Sequence, residues 1–263
     1  MHAVSGEIDL SVPRGGGWAA RFVEALALLV DHVDHATFAV IGGLAVMCRL
    51  PGGAYRATDD IDTAAERGAG EEHSHLYVLT NTPRPMWGIA ARIDCIEVGD
   101  TAASDLHSDD MPDDPSARAF VLAHRWAFDT ATSLALSATL EDGSSVAATV
   151  RVASPAALVA MKLVSAPGRP GAQAGKRASD LADLFSLTSH PDLARAIAVQ
   201  LAAAPHGLGG WCADRLGVEF VDGATRSARA IEMAGLPVVV TPGDLDDVGS
   251  RLATAISEEM VGR

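Results

Sequence analysis

The sequence predicts a mixed α/β (α+β) fold followed by a helical C-terminal region. Three observations lead there. In the N-terminal half, short apolar and β-branched runs alternate with segments of helical periodicity, the pattern of strands and helices taking turns. Within that half, Val40-Ile41-Gly42-Gly43-Leu44-Ala45 reads as a strand, a glycine turn and a helix start, and Asp142-Gly143 reads as a hairpin turn. From about residue 192 the chain is Ala-rich with helical spacing and shows no strand-like alternation.

Residues 1–16, with Pro13 and the first of three consecutive glycines, read as a flexible leader. Residues 18–33 place Phe22, Leu26, Leu29, Val30 and Val33 on one face of an amphipathic helix. A strand at 37–41 ends in Gly42-Gly43, and a helix resumes at 44–49 before Pro51-Gly52-Gly53 breaks it. Strands are expected at 60–64, 76–79 and 92–98. Residues 100–115 hold six Asp and no Lys or Arg, which reads as a solvated loop. A helix at 117–128 is followed by the hairpin strands 134–140 and 145–152. Ser154-Pro155 then starts a helix, Ser as N-cap and Pro at the first helical position. That helix carries Leu158, Met161 and Lys162, and a Gly/Pro-rich loop at 168–175 leads to another helix at 179–187. Val238 to Val240 reads as a short buried segment, and the last helix covers 245–260. The domain boundary falls near residue 153, giving an α/β domain over 17–153 and a helical one over 154–263.

The chain has 263 residues, 20 Lys+Arg against 34 Asp+Glu, and a formal charge of −14. The length and the 48% hydrophobic content suit a folded protein with a real core. The acidity excludes a general nucleic-acid coat, which needs a basic surface to displace counterions. Of the cations only Lys162 and Lys176 are lysines, so a position that stays Lys stands out. Cys48, Cys95 and Cys212 fit no metal or redox motif, an odd, sparse set that suits a reducing compartment. No signal peptide is read at the N-terminus, and the longest apolar run, 38–48, falls well short of the ~20 residues of a membrane span. The expectation is a cytoplasmic protein that makes no membrane contact.

The chemistry concentrates in Gly42-Gly43 and in Arg56-Ala57-Thr58-Asp59-Asp60-Ile61-Asp62. Asp60 and Asp62 lie two apart, so in a strand both carboxylates point to the same face. Side by side they repel unless a cation lies between them. Mg²⁺ suits such a place, because it favours one or two carboxylates plus phosphate oxygens. Glycines before a helix start allow close backbone approach, and the N–H groups there attract phosphate. A third carboxylate, Asp94, lies within the apolar strand Ile93-Asp94-Cys95-Ile96. A buried charge there is costly unless it is paired or binds metal. Asp94 either shares the metal, acts as general base on an acceptor hydroxyl, or pairs with Arg92 as a structural contact. Glu97 and Asp100 fall at the strand end.

Gly-Gly-x-Ala, then Arg-x-Thr-x-Asp-x-Asp, then a strand Asp resembles the nucleotidyltransferase superfamily of the DNA polymerase β type. Within it the chain is most similar to the AbiEii-type toxin nucleotidyltransferases of bacterial toxin–antitoxin systems. The matching positions are Gly42, Gly43, Ala45, Arg56, Thr58, Asp60 and Asp62. A second pattern of that family is a helix with Met-Lys-Leu, a basic loop, and Asp-Leu-x-Asp-Leu. Here it is Met161-Lys162-Leu163, then Arg169 and Lys176-Arg177, then Asp180-Leu181-Ala182-Asp183-Leu184. The likeness spans roughly residues 20 to 190.

The resemblance implies a nucleotidyltransferase-fold mixed sheet with flanking helices, and a helical domain that completes the active-site cleft. It implies transfer of a nucleotide from an NTP, ATP for instance, to an acceptor hydroxyl with release of pyrophosphate. Two Mg²⁺ ions would be held by Asp60 and Asp62, with Asp94 as the further ligand. Gly42, Gly43 and Thr58 would cradle phosphate, and Arg56 or Lys162 would stabilise the leaving pyrophosphate. Lys176 is either a second phosphate contact or a surface lysine. Asp180 either orients Lys162 or the nucleotide, or caps its helix, and Asp183 is expected to face water. The acceptor implied is the tRNA 3′ end, the outcome growth arrest, and the partner a cognate antitoxin. The alternatives are a small-molecule acceptor such as an aminoglycoside, a protein hydroxyl, or a non-catalytic nucleotide-binding module. His73 and His75 read as exposed loop residues, His32 and His35 are uninformative, and the scattered tryptophans read as core or rim.

Overall fold

The computed structural model describes residues 7–9, 19–51, 58, 60–66, 91–140, 142–168 and 173–263. The expected strand at 76–79, together with Trp18, His73, His75 and Trp87, lies outside them. The described strands are β1 (Glu7–Asp9), β2 (Phe38–Ile41), β3 (Asp60–Glu66), β4 (Arg92–Val98), β5 (Thr132–Thr139) and β6 (Ser145–Val152). The helices are α1 (Ala20–His32), α2 (Gly42–Arg49), α3 (Pro115–Asp129), α4 (Pro155–Ser165), α5 (Ala174–Ser189), α6 (Pro191–Ala202), α7 (Leu208–Leu216), α8 (Ala224–Met233) and α9 (Pro242–Val261). The architecture is mixed α/β, a mixed sheet with flanking helices. No described helix is long and apolar enough to cross a membrane.

The chain divides into two compact units. The first comprises Met1–Cys48, Ala57–Asp100 and Ala127–Ser154, and the second Arg49–Arg56, Thr101–Trp126 and Pro155–Arg263. The second unit thus takes in the acidic 101–115 stretch as well as the C-terminal helices.

The first unit is built on one sheet of order β1-β5-β6-β2-β3-β4. β5 and β6 form the antiparallel hairpin that Asp142-Gly143 predicts. Gly143 takes a left-handed φ of 83°, and the Asp142 carboxylate accepts from the Ser144 backbone N–H at 2.9 Å. The Ser144 hydroxyl and backbone N–H hold the Asp142 carboxyl below the usual carboxylate range. β2 is buried along its whole length, as a central strand covered on both faces should be. It pairs parallel with β6 and antiparallel with β3, and β3 pairs parallel with β4. Helix α1 buries Phe22, Val23, Leu26 and Leu29 against β6 and β5.

Two sequence expectations need correction. Residues Glu7–Asp9, read within a loose leader, form an edge strand parallel to β5. Three residues carry too little periodicity to be seen in the sequence, and what orders them is the ladder offered by the hairpin edge. Val238 to Val240, read as buried, is not, and Val239 is 93% exposed. Val238 and Val240 are half-buried, and apolar character alone does not bury a segment that lies in no strand or helix.

Among its described residues the second unit is built of helices joined by turns and short irregular links. Helix α4 is buried on all sides from Ala156 to Leu163 and packs against α5, α6 and α7. Helix α9 crosses α6, α7 and α8, and its start is fixed by Thr241 and Asp244, which cap each other's backbone N–H groups. The 100–115 stretch forms two short turns, Ala103–Asp105 and Ser108–Asp110, with its carboxylates largely exposed.

In α3, His124 is buried and its Nδ1 lies 2.7 Å from the Phe120 carbonyl oxygen. A carbonyl only accepts, so Nδ1 carries the proton. Burial pushes the His124 pKa down, partly offset by the Phe120 carbonyl. The unfolded state therefore takes up this proton first as pH falls through ~6.5, and stability is lost below that value. His124→Leu is expected to lose less stability than the parent between pH 7 and pH 5. Urea midpoints at both pH values measure this, and parallel losses in the two proteins would refute it.

Candidate active site

The sequence motif around Asp60 becomes a cluster through strand register. Asp60 and Asp62 alternate onto one face of β3. In the parallel β3–β4 pair Asp62 stands opposite Asp94, and Asp60 opposite Arg92. The three carboxylates Asp60, Asp62 and Asp94 each place an oxygen within 4.8 Å of the others, and all three are half-buried. Adjacent strands lie ≈ 4.8 Å apart, so facing side chains on one sheet face are forced to this spacing.

The glycine turn meets the same point. Ile41, the last residue of β2, pairs with Asp62 across the antiparallel ladder. Gly42 follows with a left-handed φ of 68°. A Cβ built on Gly42 would collide with the Asp62 carboxylate and come within 2.7 Å of its Cγ. Gly42 therefore answers two demands at once, a conformation that L side chains avoid and the absence of any side chain beside Asp62. Gly43 is half-buried at the first turn of α2.

Gly42→Ala is expected to cost ~1–3 kcal/mol in urea denaturation, from the left-handed backbone and the displaced carboxylate. A loss under a few tenths of a kcal/mol would show that neither constraint holds.

Thr58 is buried, and its hydroxyl lies 3.2 Å from Asp60 Oδ1 and 3.3 Å from the Asp60 carbonyl oxygen. These contacts orient the Asp60 carboxylate. Thr63, fully buried, donates to the Asp94 carbonyl oxygen at 3.2 Å and ties β3 to β4 beside the cluster. Burial raises the neighbouring Cys95 thiol pKa, so Cys95 is not an activated thiolate. Arg56, Asp59 and Arg169 lie outside the described residues, as does the side chain of Arg92, so the alternative Arg92–Asp94 pair lies there too.

The second motif sits in the helical unit. Lys162 Nζ, on α4, is 2.8 Å from Asp180 Oδ1 and 2.8 Å from Asp183 Oδ2, both on α5. All three residues are more than nine-tenths buried. The ammonium expected to meet phosphate is thus engaged by two carboxylates. Asp180 lies mid-helix, away from the cap position at Gln173. Asp183, expected to face water, is buried as the second partner of Lys162. Residues three apart share a helix face, so whatever turns Asp180 inward turns Asp183 inward too. Lys176 is exposed in the first turn of α5.

Sequence reading also missed Glu219. It is buried and accepts from Arg177 at 2.6 Å and Arg215 at 3.0 Å. The Arg215–Glu219 spacing of four was a usable helical signal. The Arg177 contact joins residues 42 apart in the chain and left none.

Compared with protein-family models, curated proteins and solved structures, the chain matches none.

Proposed function

We propose that the chain is a Mg²⁺-dependent nucleotidyltransferase of the DNA polymerase β-like superfamily, of the AbiEii toxin type. The observation that carries this reading is the convergence of Asp60, Asp62 and Asp94 on one sheet face beside left-handed Gly42. The donor set fits the metal, since it is all oxygen and all carboxylate. The missing Gly42 side chain leaves room for the Asp62 carboxylate against the turn between β2 and α2, which fits a carboxylate held beside the helix start where phosphate would bind.

When bound, Mg²⁺ would offset charge on the triphosphate and favour ionisation of the acceptor hydroxyl. Asp60 and Asp62 would hold it, with Thr58 fixing the orientation of Asp60. Asp94 would complete the ligand set or take the acceptor proton. The acceptor oxygen forms a bond to the α-phosphorus as the bond to the bridging α–β oxygen breaks, and pyrophosphate leaves with that electron pair. The α2 backbone N–H groups beyond Gly42 suit the phosphate oxygens.

The acceptor proposed is the 3′ end of tRNA, the consequence growth arrest, and the antagonist a cognate antitoxin. Incubation with Mg²⁺, each labelled NTP in turn and total RNA is expected to label tRNA-sized species. Absence of label with all four nucleotides would sink the RNA version. The acidity of the cluster and the net charge of −14 favour one second reading, a cationic small acceptor such as an aminoglycoside. Adenylate transfer to such a drug, with none to RNA, would select it.

A further inference from the structure

We propose that the second unit carries a separate binding pocket for a small, flat, ring-bearing oxyanion, centred on Arg118, His206 and Trp211. It uses no residue of the carboxylate cluster and stands whether or not the chain transfers nucleotides. A cavity of about 210 Å³ opens between the first turns of α3 and the residues that lead into α7. That volume holds a single ring, since a cavity of ~150 Å³ is enough for benzene. Ala119, Leu122 and Leu208 form its apolar floor, and all three are buried.

Arg118 supplies the charge. It is half-buried, and its Nε donates to the Pro112 carbonyl oxygen at 3.0 Å, which fixes the guanidinium plane. Among the described residues no carboxylate pairs with it, although the preceding stretch holds six Asp. Asp114, the nearest of these in sequence, accepts instead from the Ala117 backbone N–H at 2.7 Å. The terminal N–H groups of Arg118 are thus left for an outside acceptor. A guanidinium edge matches the two oxygens of a carboxylate or phosphate.

Trp211 and His206 supply the aromatic surface. His206 has φ 53° and is followed by Gly207 at φ 73°. A left-handed turn at 206 would be relaxed by Gly, yet His stands there, at the pocket edge. Backbone strain held at a cavity points to use of the side chain that bears it. Indole and imidazole lining one pocket suit a planar ring, and the Arg118 charge selects a ring that carries an oxyanion.

Phenyl phosphate, benzoate and AMP, titrated against the full chain, are the probes, read by tryptophan fluorescence with Trp211→Phe as the signal control. At least one probe is expected to give saturable quenching that Trp211→Phe abolishes. Arg118→Gln is expected to weaken it tenfold or more with the melting temperature unchanged. His206→Gly is expected to raise the melting temperature and weaken binding. Preference for phenyl phosphate or AMP assigns a phosphate ligand, preference for benzoate a carboxylate, and either supports the pocket. No saturable signal with any probe to about 10 mM, or affinity indifferent to both Arg118→Gln and His206→Gly, overturns it.

Discussion

Asp62→Asn is expected to lower nucleotide transfer by about a thousandfold or more while leaving the fold intact. Asp62 is central to the cluster by register, opposite Asp94 on β4, opposite Ile41 on β2, and against Gly42. Asn has the same shape but lacks the charge that would hold a divalent ion. Losing several kcal/mol of metal-dependent stabilisation of the transition state converts to three or more powers of ten, at ~1.4 kcal/mol for each. Stability should change little, because Asn keeps the shape and the polar atoms of the side chain it replaces. A melting curve separates the two effects. Mg²⁺ should raise the melting temperature of the parent by binding the folded state, and should not raise that of Asp62→Asn. A variant that keeps the parental rate would remove the carboxylate cluster from the chemistry.

Lys162→Met is expected to destabilise the helical unit by about 3–5 kcal/mol, the cost of leaving buried charges without their partner. Here Asp180 and Asp183 both lose an ammonium 2.8 Å away, and each is more than nine-tenths buried. Against a total stability of ~5–15 kcal/mol that is a large share. The same principle predicts recovery. Adding Asp180→Asn and Asp183→Leu to Lys162→Met removes the stranded charges and should regain most of the loss. Urea denaturation of the single and triple variants tests this. A single-variant loss under 1 kcal/mol would show that the three groups do not depend on one another.

The contrast between these two clusters shows what a sequence can tell. The Asp60–Asp62 pair was legible because a spacing of two has one meaning in a strand. Gly42 was legible because Gly-Gly between a strand and a helix marks a close backbone approach, though not that Asp62 was the group approached. Lys162 stood out because lysine is rare in this chain. The alternation of strand and helix signals was enough for the mixed α/β class, and Asp142-Gly143 for the β5–β6 hairpin.

Other features depend on contacts between distant segments, and local pattern carries no information about them. Asp94 joins Asp62 only because β4 lies parallel to β3 in one register, and a slip of one residue would turn it to the other face. The strand Glu7–Asp9 exists because an edge of β5 is there to pair with it. Asp183 was assigned to water because an Asp on a helix is usually solvated, and the packing of α5 against α4 reversed that. Periodicity and residue type act over a few residues, so they settle what each segment is. Register and helix packing act across the whole chain, and they alone settle which charges meet.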